Sequence, residues 1–167
     1  MTTQEKIKSK ILTPESLTFK LSFWKFRDKK IVFTNGVFDL LHLGHIDYLS
    51  QTADMGDVLI IGVNSDASVR RLDKGPNRPI NNEEQRCHLL ASLFFVDAVI
   101  LFDEDTPLEL IRKIQPQVLV KGGDYKPEQI VGADIVKSRG GFVHTIPLLT
   151  GYSTTLTEER IKNSTRL

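Results

Sequence analysis

Two histidines, His42 and His45, stand three residues apart with Gly44 between them. That spacing puts both imidazoles on one turn of a helix. The turn follows an apolar run, Ile31 to Thr34, and a glycine at Gly36. A glycine directly after a strand lets the backbone turn sharply and approach a ligand closely. A helix start leaves backbone N–H groups unpaired, and these attract anions. Strand, glycine and histidine-bearing helix start together suit a phosphate group. Two capping or half-buried histidines are the plainer alternative. His88 reads as a helix-surface residue and His144 as part of a strand, neither with a site around it. Cys87, the lone cysteine, excludes an internal disulfide framework and reads as a small core hydrophobe.

The elements that must position this turn follow from punctuation and periodicity. Residues 1–12 read as a polar lead-in. Thr13-Pro14-Glu15 opens a helix that runs to about Arg27. Residues 31–34, 58–63, 98–101, 118–120 and 142–146 are short apolar runs of the kind found in parallel strands buried on both faces. Helices are expected at 43–53, with Ile46, Leu49 and Ala53 on one face, and at 65–71. Another is expected at 82–94, with Cys87, Leu90, Leu93 and Phe94 inward. Two more follow, one from Thr106 carrying Leu108, Ile111 and Ile114, and one over 126–139. A last helix begins near Ser153. Residues 72–81, rich in Gly, Pro and Asn, form a loop. Strands alternating with helices predict an α/β fold, a Rossmann-like doubly wound five-stranded parallel sheet with helices on both faces. Ligands in such sheets bind beyond the carboxyl ends of the strands, where the strand order reverses. The expected division is an N-terminal lead-in and helix at 1–28 and one domain at 29–167.

Composition narrows the partners. Apolar residues are 40% and charged residues 26%, as in an ordinary soluble domain. The net charge of +1 gives no field for nucleic acid or membrane. The first ten residues are polar, without a signal-like apolar run, and no stretch is long enough to span a bilayer. A cytoplasmic protein is expected.

The stretch from Asn35 to His45 resembles the cytidylyltransferase-like nucleotidyltransferase superfamily, whose mark is an HxGH motif after the first strand. Gly151-Tyr152-Ser153-Thr154-Thr155 is similar to its second mark, a hydroxyl-rich start to a late helix. Asn64-Ser65-Asp66, Lys74 to Pro79, Val96-Asp97, Thr106-Pro107 and Val120 to Pro127 together resemble the adenylyltransferase domain of ADP-heptose synthases, over about residues 29 to 155. The resemblance implies transfer of AMP from ATP to D-glycero-beta-D-manno-heptose 1-phosphate, with Mg²⁺ carried by the nucleotide and no protein metal ligand. It implies that His42 and His45 donate to the triphosphate, and that Ser153 and Thr154 hold its β and γ phosphates. It assigns Thr34, Asn35, Gly36, Phe38, Gly44, Lys121, Gly123, Asp124, Gly151 and Tyr152 to the nucleotide. Asp39, Asp66, Lys74 and Arg78 go to the acceptor, Lys74 also to catalysis. Asp39 is equally a structural turn residue, Arg78 equally a solvated loop cation, and Arg86 reads as half of a surface pair with a nearby glutamate. A homodimer and a separate heptose kinase upstream are implied partners. Another HxGH transferase, such as one acting on glycerol 3-phosphate, and a non-catalytic nucleotide-binding module are the rival readings. One departure stands out: after Thr155 the family continues with an apolar pair, whereas this chain reads Leu156-Thr157-Glu158-Glu159.

Overall fold

The computed structural model describes residues 1–72, 78–123 and 125–164. Its elements are α1 (Thr3–Lys8), β1 (Ile11–Leu12), α2 (Pro14–Phe26), β2 (Ile31–Gly36), α3 (Leu43–Ala53), β3 (Val58–Asn64), α4 (Asp66–Arg71), α5 (Glu83–Ala91), β4 (Ala98–Phe102), α6 (Leu108–Ile114), β5 (Val118–Gly122), a 3₁₀ turn (Pro127–Gln129), α7 (Ala133–Ser138), β6 (Phe142–Ile146) and α8 (Thr154–Ser164). All sheet pairings are parallel, in the order β1-β4-β3-β2-β5-β6.

The sheet therefore has six strands, not the five expected. The sixth is β1, in the stretch read as a polar lead-in. Two residues give no periodicity to detect, yet Ile11 and Leu12 pair with Val99 and Ile100. That stretch also holds α1, closed by a capping box between Thr2 and Glu5. Leu17 and Leu21 of α2 are buried in the same core as the central strands.

Why the central strands carry apolar side chains on both faces is plain in β3. Val58 and Ile60 face one layer, with α2, α6 and α7; Leu59, Ile61 and Val63 face the other, with α3 and α5. Successive side chains point to opposite faces, and both faces are covered.

Two further expectations are corrected. The helix over 126–139 is broken: Gly132 has φ +82°, a left-handed conformation that separates the 3₁₀ turn from α7. Phe94 is not inward but 92% exposed, because α5 ends at Ala91 and the chain leaves the helical track. Leu93 is only partly buried.

The strand order reverses at β2 and β5. The β2–β3 register runs the full length, from Ile31↔Val58 to Gly36↔Val63. The β2–β5 register holds only Val32↔Val118 and Phe33↔Leu119. Beyond Phe33 the two strands part, and a crevice opens between their carboxyl ends, where ligands of doubly wound sheets bind.

Candidate active site

The crevice is wedged by a residue the sequence reading did not single out. Tyr48, on the buried face of α3, places its hydroxyl 2.6 Å from Thr34 Oγ1 and donates to the Val120 carbonyl at 3.2 Å. It thus joins β2 to β5 where their ladder stops. Burial pushes its phenol up to about 12, so the bridge stays neutral. Thr34, expected at the nucleotide, is fully buried and spent on this bridge. Lys121 crosses the same gap, its Nζ 3.2 Å from Asn35 Oδ1.

From β2 the chain turns through Gly36 to Phe38, a non-glycine residue at φ +51°. Such a conformation is uncommon and needs its surroundings to hold it. Here the Phe38 ring is buried and meets the His45 ring edge-on at 5.4 Å.

His42 is the N-cap of α3, and its Nδ1 accepts the His45 backbone N–H at 3.3 Å. The capping alternative is thus true of His42. The two imidazoles also stack, centroids 3.8 Å apart and planes at 19°. Gly44 permits this closeness: a Cβ there would stand 3.1 Å from His42 Nδ1 and 3.2 Å from Tyr152 Cβ. Burial, with the His42 ring beside it, pushes the His45 imidazole down to about 4, against a contrary pull from the Leu40 carbonyl. Burial lowers His42 too. At neutral pH both rings are uncharged, each able to donate one N–H. His45 Nδ1 is buried with no hydrogen-bond partner among the described residues. An unpaired polar atom of that kind costs stability and is tolerated where function needs it.

A stability prediction follows from this histidine. Its folded pKa lies below the unfolded value of about 6.5. As pH falls from about 6.5 toward 4, the unfolded chain takes up a proton that the native state refuses. Stability should drop by up to about 1.4 kcal/mol per pH unit across that window, about 3 kcal/mol in all. Urea unfolding at pH 7 and pH 4.5 measures it. The loss in the parent should exceed that in His45→Ala by about 2 kcal/mol; equal losses would show that His45 does not resist protonation.

A cavity of about 540 Å³ lies in front of this pair, lined by Asn35, Gly36, Phe38, Asp39, His45, Tyr48, Arg78, Lys121, Thr154 and Thr155 among others. An adjoining hollow at Gly122, Gly123, Tyr125 and Thr150 extends it. A larger hollow of about 770 Å³ sits off the end of β4, but its Arg71 pairs with the local Asp103 and Asp105, and no set of donors converges there.

The remaining expected site residues divide. Gly151 and Tyr152 lie at the approach to α8 and Ser153 caps that helix, its Oγ accepting the Leu156 N–H. Asp66 is drawn away from the cavity to Arg86, at 2.8 Å. Lys74 and Asp124 lie outside the described residues. Asp39 is 3% exposed, and its carboxylate accepts from Ile80 N, Asn81 N and Arg78 Nη1 at 2.9–3.0 Å. It anchors the loop that brings Arg78 to the cavity, so its turn role holds and its carboxylate is fully engaged. Arg78 is no solvated cation: its Nε also meets Glu158 of α8 at 3.0 Å.

Arg86 overturns its expected place. It is fully buried and donates to three carbonyls, Val37, Asn64 and Asn81, and to Asp66. The helical spacing held a sign of this, since Arg86 precedes buried Leu90 by four residues. Cys87 is buried, and desolvation pushes its thiol up to about 11, as suits a core residue. His144 is exposed on β6, and the His88 imidazole bonds the Glu84 carbonyl of its own helix.

Parallel strands, a split at the switch point, and a helix-start histidine lining a cavity edged by Lys121 and Arg78 define an α/β protein with a ligand crevice at its switch point. Residues 33–160 match the cytidylyltransferase-like family. The chain belongs to that family and is a nucleotidyltransferase by that membership. It is 56% identical over 92% of its length to a bifunctional protein HldE of Syntrophotalea carbinolica, of which it covers 31%. The chain thus spans about a third of the length of the curated relatives it matches. Among solved structures, a lipopolysaccharide core biosynthesis protein of Thermoplasma volcanium superposes with TM-score 0.59 at 30% identity, covering 75% of this chain and 99% of that one. A pantoate-beta-alanine ligase of Francisella tularensis, 17% identical with TM-score 0.58 over 91% of this chain and 76% of its own, shares the fold alone.

Proposed function

We propose that this chain transfers AMP from ATP to D-glycero-beta-D-manno-heptose 1-phosphate, giving ADP-heptose and pyrophosphate for lipopolysaccharide core assembly. The observation that carries the reading is the stacked, uncharged His42–His45 pair at the head of α3, beside a cavity edged by the cations Lys121 and Arg78. The printed name of the solved relative, a lipopolysaccharide core biosynthesis protein, supports the pathway.

A sugar-phosphate oxygen attacks the α-phosphorus, the bond from that phosphorus to the α–β bridging oxygen breaks, and pyrophosphate departs. The acceptor oxygen is already ionised near neutral pH, so the residues need only position and neutralise. His45 and His42 donate N–H groups toward the oxygen on which charge grows, in a site preorganised by stacking and burial. Lys121, held toward Asn35, and Arg78, held by Asp39, supply fixed positive charge. Ser153 and Thr154 at the start of α8 take the β and γ phosphates, while Gly123, Gly151 and Tyr152 border the nucleoside. Mg²⁺ carried by the triphosphate would supply charge neutralisation there; Asp39 already accepts from Arg78, Ile80 and Asn81, so its role is to hold that loop. The reading takes the protein to act in the cytoplasm as a homodimer, on an acceptor phosphorylated by a kinase. No helix among the described residues is long and apolar enough to cross a membrane.

Pyrophosphate release across ATP, CTP and GTP, each with heptose 1-phosphate and glycerol 3-phosphate, tests this directly. Release should be greatest with ATP and heptose 1-phosphate, by about 100-fold or more in kcat/KM over glycerol 3-phosphate, a discrimination of about 2.7 kcal/mol. Preference for CTP with glycerol 3-phosphate would reassign the substrate; no release with any pair would leave a binding module.

A further inference from the structure

Arg78 sits between two carboxylates, and the two differ in how firmly they are held. Asp39 is 3% exposed, and its oxygens also accept the Ile80 and Asn81 backbone N–H groups. Were Asp39 to leave, those donors would lose their acceptor. It is the fixed partner. Glu158 is on α8, a helix with no buried residue, and its side chain keeps 23% exposure. Released from Arg78, its carboxylate can be taken up by water. It is the exchangeable partner.

Among the described residues, the Arg78 guanidinium is shared between two carboxylates, so its positive charge is already engaged. A phosphorylated acceptor approaching it meets repulsion as long as Glu158 stays. Carboxylate and phosphate are, however, interchangeable partners for a guanidinium. Arg78 lines the same cavity as His45 and Lys121.

We propose that Glu158 occupies, in the empty protein, the place on Arg78 that the acceptor's phosphate takes, so that this ion pair latches α8 across the cavity and the acceptor must displace it. Glu158 is then a specificity-determining residue. It sets a threshold of anionic charge that an acceptor must exceed, and it couples the position of α8 to occupancy of the acceptor site. The inference rests on the reading of Arg78 as part of an acceptor-phosphate site.

The test compares the parent with Glu158→Gln, and with Glu158→Ile as a second variant. Both changes fall on a partly exposed helix position and leave the core untouched. Two readouts are taken. Amide hydrogen exchange of residues 154–164 is followed without ligand and with saturating inorganic phosphate. Steady-state kinetics with ATP and heptose 1-phosphate separate the two KM values from kcat.

In the empty parent, α8 should exchange about 10-fold more slowly than in Glu158→Gln. Phosphate should speed the parent toward the variant and leave the variant unchanged. The KM for the acceptor should fall by about 3- to 10-fold in both variants, with the KM for ATP unaltered. A raised acceptor KM would show that Glu158 orients Arg78 for the phosphate, and would overturn the latch. Identical exchange of parent and variants, with or without phosphate, would overturn it as well. If the parent releases no pyrophosphate with any acceptor, the proposed function fails while the exchange readout still decides the latch.

Discussion

His45→Ala should lower kcat by about 10² to 10³-fold, a loss of about 3–4 kcal/mol of transition-state stabilisation. The ring lines the cavity, is held by Phe38 edge-on and by His42 in a stack, and stays uncharged at neutral pH. A neutral imidazole clamped in this way gives little to a ground state whose charge lies elsewhere, so the KM for ATP should change far less than kcat. Stability should separate from activity in the same variant. Alanine removes packing against Phe38 but also deletes the buried, unpartnered Nδ1, and these effects oppose each other. The melting temperature at pH 7 should therefore stay within about 4 °C of the parent. Stopped-turnover pyrophosphate release beside a thermal melt makes the comparison. A variant with parental kcat would remove His45 from the reaction; a variant that loses activity only because it has unfolded would make it a residue of the fold.

The histidine pair was legible in the sequence because the signal is local: strand, glycine and helix start lie within fifteen residues. The sheet was legible for a similar reason, since four of its five longer strands, β2 to β5, are apolar runs covered on both faces, and β6, exposed at Phe142 and His144, still shows as a short β-type run. What escaped was set by distance or by brevity. β1 is two residues long, and its pairing with β4 depends on a partner more than 80 residues away. Tyr48 has the spacing of an ordinary core residue; only the parting of β2 from β5 gives its hydroxyl two strands to join. Asp39 and Arg78 meet across the loop, and Glu158 reaches Arg78 from α8, so no window of sequence contains them. Phe94 was misplaced by carrying a helical period beyond the helix end, a point that Ser92, not a glycine, marks. Gly132 shows the converse: the period over 126–139 continues through a residue whose backbone turns left-handed.

Arg86 is the residue on which the fold around the site depends most, and Arg86→Met should destabilise the protein by at least about 4 kcal/mol. Methionine fills most of the volume, so packing is largely kept and the loss reports on polar contacts. Three carbonyls, of Val37, Asn64 and Asn81, lose their donor at once. Each buried acceptor left unpaired costs about 1–3 kcal/mol. Asp66 loses its cation as well, though its partial exposure lets water compensate there. The three carbonyls belong to the loop after β2, the end of β3 and the turn before α5. One side chain thus ties three segments that are distant in sequence, two of which carry the approach to the cavity. Val37 lines that cavity, so the variant should also lose kcat under conditions where it remains folded. Arg86→Lys keeps the charge but cannot span three carbonyls from one ammonium, and should lie between the parent and methionine. Urea titration measures the series. A shift in midpoint with unchanged slope gives the stability loss directly, and a loss below about 1 kcal/mol would show that the carbonyls find other donors.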